Sequence, residues 1–297
     1  MNCAKKNKKS DIRCQISKEI RIFALKMGQQ MRNAPHTLPP ISNIHINYIR
    51  TMNEKDFASM MREREAGINV NERERYVTQS AFGVLMRKVY LWMTLALAIT
   101  GFAAFYVAKS GLVFTLMSNP ILFWGLIIAE LALVFGVSAA INKLSLTTAT
   151  ILFTTYSVIN GVTLSSIFLV YDIASITRVF FITAGTFGAM AVFGYTTKKD
   201  LSTIGKYLFM ALIGLIIATL VNLFFKSTGL DLALSYLGVL IFVGLTAYDS
   251  QKIKQMCMSF EYADEGAQKL ALLGALTLYL DFINLFIYLL RLFGRRN

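Results

Sequence analysis

Seven apolar runs, each of about twenty residues, dominate the sequence, at about 88–109, 120–141, 146–170, 178–196, 205–226, 232–251 and 270–291. A helix needs roughly twenty such residues to cross the hydrocarbon of a bilayer. Backbone polar groups in lipid must bond within their own segment, so runs of this length are read as helices. The breaks between them are short: 109–120, 142–145, 171–178, 197–206, 226–231 and 252–269. The expected fold class is therefore an all-α membrane protein, one compact bundle of seven transmembrane helices with no sizeable aqueous domain. Composition excludes the alternatives. Charged residues make up 16% of the 297 and hydrophobic residues 55%, whereas a soluble domain carries ~25% charge. Three cysteines and two histidines leave no basis for a disulfide scaffold or a His/Cys metal centre.

Charge is unevenly placed. The net charge of +13 suggests nucleic acid at first sight, but the first 51 residues hold ten Lys/Arg against Asp11 and Glu19. Both histidines and three of the four prolines lie in the same stretch. Residues 1–51 therefore read as a basic preamble with two explanations, a tail that touches anionic lipid or a misassigned start with Met52 as the first residue. A cleaved signal fits poorly, because Ile20–Met27 is short and broken by Arg21 and Lys26. Residues 52–86 read as a charged cytoplasmic lead, and 87–297 as the membrane domain. The remaining basic residues follow the bundle, so no nucleic-acid partner is expected.

With the N-terminus in the cytoplasm, eleven Lys/Arg fall on the inner flanks: Arg73, Arg75, Arg87, Lys88, Lys143, Lys198, Lys199, Lys206, Lys252, Lys254 and Lys269. Only Lys109, Arg178 and Lys226 fall outside, which is the expected bias. Arg291, Arg295 and Arg296 conflict with it. Either the last run is re-entrant or the rule is overruled there.

Three acids lie within or at the edge of the apolar runs: Glu130, Asp249 and Asp281. An ionisable group at that depth is costly and marks function by default. No Lys or Arg lies deep in any run to neutralise them, so burial and mutual repulsion favour the protonated form. Two that meet would titrate as one pair around a shared proton. Ionised, they would attract a divalent cation through oxygen ligation, so transient Ca²⁺ at Asp249 and Asp281 is the only metal contact expected. The bland alternatives are a hydrogen bond across helices for Glu130 and a simple ion pair with Lys252 for Asp249. Asp281 has no local cation, and Asn284 and Tyr288 share its face and are expected to hydrogen-bond it. Depth is an obstacle. Asp281 lies eleven residues past Leu270, roughly 16 Å along a helix, while Asp249 lies near the inner end of its run. A contact requires the last helix to begin earlier, with 264–269 supplying the offset. Ser165, Ser166, Asn160, Gly185, Gly188 and Asn222 read as helix-packing positions, and Cys257 as a bystander in the 252–269 loop.

Three stretches carry a family resemblance: RKVYLWMTLA at 87–96, GLTAYDSQKI at 244–253 and LLGALTLYLDFINLF at 272–286. The chain resembles the Bax-inhibitor-1, or transmembrane Bax inhibitor motif, family over about 76–296, and looks like a bacterial-type member. The resemblance implies six helices around a central last one and a pH-sensitive calcium leak. It implies that Asp249 and Asp281 are the proton-sensing, gating pair, and Glu130 matches an acidic position of the family's second helix, which makes it a candidate for the ion pathway. Tyr248, Lys252 and Asn284 are the candidate supporting residues by their positions beside the pair. Ca²⁺ is then the permeant ion and no cofactor is expected. Family members can carry a basic residue that bonds the pair near the inner end of the second helix. Here Ala139-Ala140-Ile141 stands in that neighbourhood, with Lys143 the nearest cation.

A second functional reading is a membrane regulator that binds a partner such as an AAA-type membrane protease through the charged lead at 53–80. An intramembrane aspartyl protease matches only in Tyr248-Asp249. Its second half needs Gly-x-Gly-Asp, and this chain has Tyr279-Leu280-Asp281. The expectation is a non-enzyme in the cell membrane.

Overall fold

The computed structural model describes residues 70–225 and 227–295, so the basic preamble, the Met52 alternative and the lead up to residue 69 lie outside the described residues. Nine helices occur among them: α1 Val70–Lys109, α2 Leu112–Ser118, α3 Pro120–Ala140, α4 Leu146–Leu164, α5 Ile167–Val170, α6 Ile173–Thr196, α7 Ser202–Phe225, α8 Thr228–Met258 and α9 Glu265–Phe293. Seven segments are long and apolar enough to cross a membrane, those of α1, α3, α4 continued through α5, α6, α7, α8 and α9. No β-strand occurs among the described residues.

Local chemistry sets where the helices begin. The first N–H groups of a helix have no partner inside it, and a Ser, Asp or Asn oxygen just ahead can supply one. Asn119 Oδ1 accepts from Leu122 N, Ser145 Oγ from Thr148 N, Ser227 Oγ from Leu230 N and Asp264 Oδ1 from Ala267 N. Asp172 caps α6 through Ser175 N. Pro120 stands in the first turn of α3, where its missing N–H costs nothing.

Buried stripes decide which face turns inward. Leu85, Val89, Met93, Ala96, Thr100, Ala104 and Val107 recur every three or four residues along α1. Ile176, Val179, Thr183, Phe187, Ala191 and Gly194 do the same on α6. The outward faces are apolar too: Phe102 is 74% and Ile121 86% exposed. Such a belt is stable against lipid and not against water.

α9 is the most deeply buried of the seven. It packs against α1, α4, α6 and α8, while α3 packs on α4 and α7 on α8. Phe180 and Phe187 of α6 meet Phe282 of α9 with ring centroids 5.6 and 5.4 Å apart. Two glycines permit backbone-level contact. A Cβ on Gly194 would lie 2.0 Å from the Ala247 carbonyl oxygen of α8, and one on Gly161 would lie 2.5 Å from the Thr100 carbonyl oxygen of α1. Small residues are what such close approaches require.

Several sequence expectations change. The first helix begins ahead of the apolar run at 88–109, since α1 already starts at Val70. The 252–269 break shrinks to residues 259–264, since α8 runs on to Met258 and α9 starts at Glu265. Lys252, Lys254 and Lys269 made those helix ends look like loop. Cys257 is buried in the last turn of α8, not in a loop. Gly185 and Gly188 have nothing within contact range of an added Cβ, so no close packing uses them. Asn222 accepts from Ser227 N and so bridges the α7–α8 turn instead of joining helices. Ser165 and Ser166 donate to carbonyls of their own helix, because each has one within reach three residues back.

The last helix is continuous, which removes the re-entrant alternative. Arg291 pairs with Asp231 in the first turn of α8 at 3.6 Å. The carbonyl of Arg295 accepts from Asp172 N, and its own N–H donates to Ser175 Oγ. The C-terminal end of α9 therefore meets the α8 start and the α6 start. Its N-terminal end meets the middle of α1 and the α3–α4 turn, through Lys88 Nζ to Gln268 Oε1 at 2.7 Å and Lys269 Nζ to Leu144 O at 3.0 Å.

Candidate functional site

The YDSQK run at 248–252 crosses the junction of four helices, and each side chain meets a different neighbour. The Tyr248 ring packs on Gly205 of α7. Asp249 turns toward α9. Ser250 Oγ donates to Ala191 O of α6 at 2.8 Å and lies 3.3 Å from Tyr90 Oη of α1. Gln251 clamps the α6–α7 loop, donating to Lys199 O and accepting from Leu201 N, both at 2.8 Å. Lys252 is exposed, with Nζ 5.9 Å from the Tyr248 ring centroid. The run thus fixes α8 rotationally, and Asp249 has little choice of direction.

Asp249 and Asp281 are brought together, close enough for their carboxyls to interact directly. They are 9% and 5% exposed. The pair lies between two contacts that fix the register of α8 on α9: Ile253 against Gly274, and the Tyr288 ring against Gly238. The early start of α9 at Glu265 supplies the depth offset that the contact needs. Asp281 Oδ2 is buried with no hydrogen-bond partner. Lys252 is the cation that acts on Asp249 through space, but it sits over the tyrosine ring and does not form the ion pair expected from its spacing. Lys143 is exposed at the α3–α4 turn.

The expected support from Asn284 and Tyr288 is not formed. Asn284 Nδ2 donates to Leu280 O of its own helix at 2.8 Å, since a carbonyl four residues back is always in reach. Tyr288 stacks on Phe242 at 5.8 Å and lies under the Arg291 guanidinium at 5.5 Å.

Glu130 occupies a different place. It faces α4, where Asn160 Nδ2 donates to its Oε2 at 3.3 Å. Asn160 Oδ1 in turn accepts from Tyr279 Oη at 3.0 Å, and Tyr279 Oη lies 2.7 Å from Thr100 Oγ1. Thr100 Oγ1 donates to Ser157 O at 2.9 Å. Asn160, read as a packing residue, is thus the bridge between Glu130 and α9. The sequence reading missed Thr100, Tyr279, Ser250, Gln251 and Gly194. Each sits in an apolar or mixed run, and its partner lies far away in the chain. No group of three or more His, Cys, Asp or Glu able to hold a metal ion occurs among the described residues.

Fold and site together define a seven-span helical membrane protein with a carboxyl pair inside its bundle. The family model described as "Inhibitor of apoptosis-promoting Bax1" matches residues 83–297. The chain is 55% identical over 214 residues to the inner membrane protein YbhL of Escherichia coli K12, covering 71% of this chain and 92% of that one. It is 45% identical over 227 residues to a protein of Borreliella burgdorferi, covering 76% and 97%, and 44% identical over 212 residues to one of Rickettsia prowazekii, covering 71% and 89%. The chain belongs to the Bax inhibitor-1 family.

Proposed function

We propose that this protein is a pH-sensitive calcium leak channel of the cell membrane, gated by Asp249 and Asp281. The observation that carries the reading is the carboxyl pair, buried between α8 and α9 without a cation bonded to either member. Two facing carboxyls hold together when one proton lies between them. When both are ionised they repel, and in a low-dielectric interior that repulsion is strong. Separation opens a path lined by two anionic oxygens, the ligand type a calcium ion prefers. Protonation therefore closes the path and loss of the proton opens it. The E. coli relative's description as an inner membrane protein supports the same membrane for this chain. The basic end of the bundle, and with it the N-terminus, then faces the cytoplasm.

Calcium efflux from liposomes, followed against pH, tests this. Efflux should rise with pH for the wild type and lose its pH response in Asp249→Asn and in Asp281→Asn. Efflux that is absent at every pH contradicts the channel and favours the partner-binding regulator of a membrane protease, read from the charged lead at 53–80.

A further inference from the structure

The polar chain from Glu130 to Thr100 contains more contacts than protons. Tyr279 Oη has one hydrogen and two acceptors in range, Asn160 Oδ1 at 3.0 Å and Thr100 Oγ1 at 2.7 Å. Thr100 Oγ1 also has one hydrogen and two acceptors, Ser157 O at 2.9 Å and Tyr279 Oη at 2.7 Å. Three contacts compete for two hydrogens, so at any moment one is unmade. Three arrangements result. In two of them Tyr279 donates to Asn160, while Thr100 donates either to Ser157 O or to Tyr279. In the third, Tyr279 donates to Thr100 and Thr100 to Ser157 O.

Glu130 selects between them through Asn160. An ionised carboxylate at Oε2 polarises the Asn160 amide and makes Oδ1 the stronger acceptor, since hydrogen bonds in series reinforce one another. Tyr279 then donates to Asn160. A neutral Glu130 removes that pull, and the shorter contact to Thr100 takes the hydrogen. A place for the proton on Glu130 is also present. Glu130 Oε1 and Thr163 Oγ1 are both buried and lack hydrogen-bond partners. They are close enough to interact, and the Thr163 hydroxyl can donate to an ionised Oε1 or accept from a protonated one, so it serves both states. The other titratable groups that face Glu130 are Tyr156 of α4 and Tyr279 of α9. α2, which also packs on α3, carries none.

We propose that Glu130, with Thr163 and Asn160, is a second proton-binding site, and that the Asn160–Tyr279–Thr100 hydrogen-bond chain carries its state to α9. The chain reaches α9 two residues before Asp281, on another face of the helix. The proposal does not depend on calcium conductance and stands or falls separately from it.

The test uses the full-length protein in lipid nanodiscs with 3-fluorotyrosine. Fluorine NMR follows the Tyr279 resonance, assigned by its loss in Tyr279→Phe. In the wild type this resonance should shift with pH through a single transition. The shift should vanish in Glu130→Gln and lose most of its size in Asn160→Leu, which breaks the chain while leaving the Glu130 charge in place. Thr100→Val removes the competing partner and should likewise hold the resonance still. Asp249→Asn with Asp281→Asn should leave the shift intact. A Tyr279 resonance that ignores pH overturns the proposal. So does a shift that persists in Glu130→Gln, Asn160→Leu or Thr100→Val, or one that disappears only when the aspartate pair is removed.

Discussion

Two acidic sites communicate with α9, the buried Asp249–Asp281 pair and the half-buried Glu130, and they are built on opposite principles. Asp249 and Asp281 face each other. Glu130 faces a donor, Asn160 Nδ2 at 3.3 Å, backed by two hydroxyls. An acid opposite another acid is stable only while a proton is shared, so its geometry is tied to protonation. An acid supplied with a donor tolerates either state, and the change passes into the hydrogen-bond chain instead. On the two proposals, loss of a proton would part helices at the first site, and gain of one would rearrange hydroxyls at the second.

The close backbone approaches that hold the two sites should separate them first. Gly194→Ala places a methyl carbon 2.0 Å from the Ala247 carbonyl oxygen, two residues from Asp249. Gly161→Ala meets the Thr100 carbonyl oxygen at 2.5 Å and the Ala103 Cβ at 2.7 Å. Overpacking costs ~1–3 kcal/mol and sometimes more. Gly194→Ala should exceed Gly161→Ala, with the former at or above the top of that range, in unfolding from mixed micelles. Equal losses would mean that the two interfaces are not different in tightness.

Tyr279→Phe comes next. It removes the hydroxyl that meets Asn160 and Thr100 and keeps the ring packed on Phe153 and Tyr156. At ~0.5–1.5 kcal/mol per hydrogen bond, the variant should lose about 1–2 kcal/mol in the same assay. The pH response of efflux should be retained. Loss of that response would show that the two sites act as one.

Lys252→Ala should cost no more than about 0.5–1 kcal/mol, since an exposed cation over a ring contributes little. It should leave the efflux response to pH in place, which the ion-pair alternative for Asp249 does not allow. The smallest effect lies outside the spans. Asp200, in the α6–α7 loop, accepts from Ser202 N at 2.9 Å, and hydrogen bonds from Ser202 hold its carboxyl below the ordinary value. Its contribution is present above the ordinary carboxylate range and is lost as pH falls through the depressed value. Ser202→Ala should move the Asp200 titration partway up, read by NMR, with no change at the Asp249–Asp281 pair or at Glu130.

The spans were legible because lipid demands long apolar runs. The ends of α8 and α9 were not, because Lys252, Lys254 and Lys269 look the same on a helix projecting from the bilayer as in a loop. Asp249 and Asp281 stood out as acids in apolar surroundings. Their contact depended on five residues of helical offset, 265–269, which apolar patterning does not record. Asn284 was misread because sharing a face with Asp281 says nothing about the competing Leu280 carbonyl. Tyr279 and Thr100 stayed hidden because a tyrosine or threonine in an apolar run reads as core. Their partners are 119 and 179 residues apart in the chain.

Whether Asp249 and Asp281 share a proton is read directly by infrared spectroscopy of the protein with isotope-labelled aspartate in nanodiscs. The account predicts that the protonated-carboxyl band of Asp281 titrates at a clearly different pH once Asp249 is asparagine, and that the band of Asp249 does so once Asp281 is asparagine. If each aspartate titrates unchanged without the other, the two do not share a proton and the gate proposed from their pairing is contradicted.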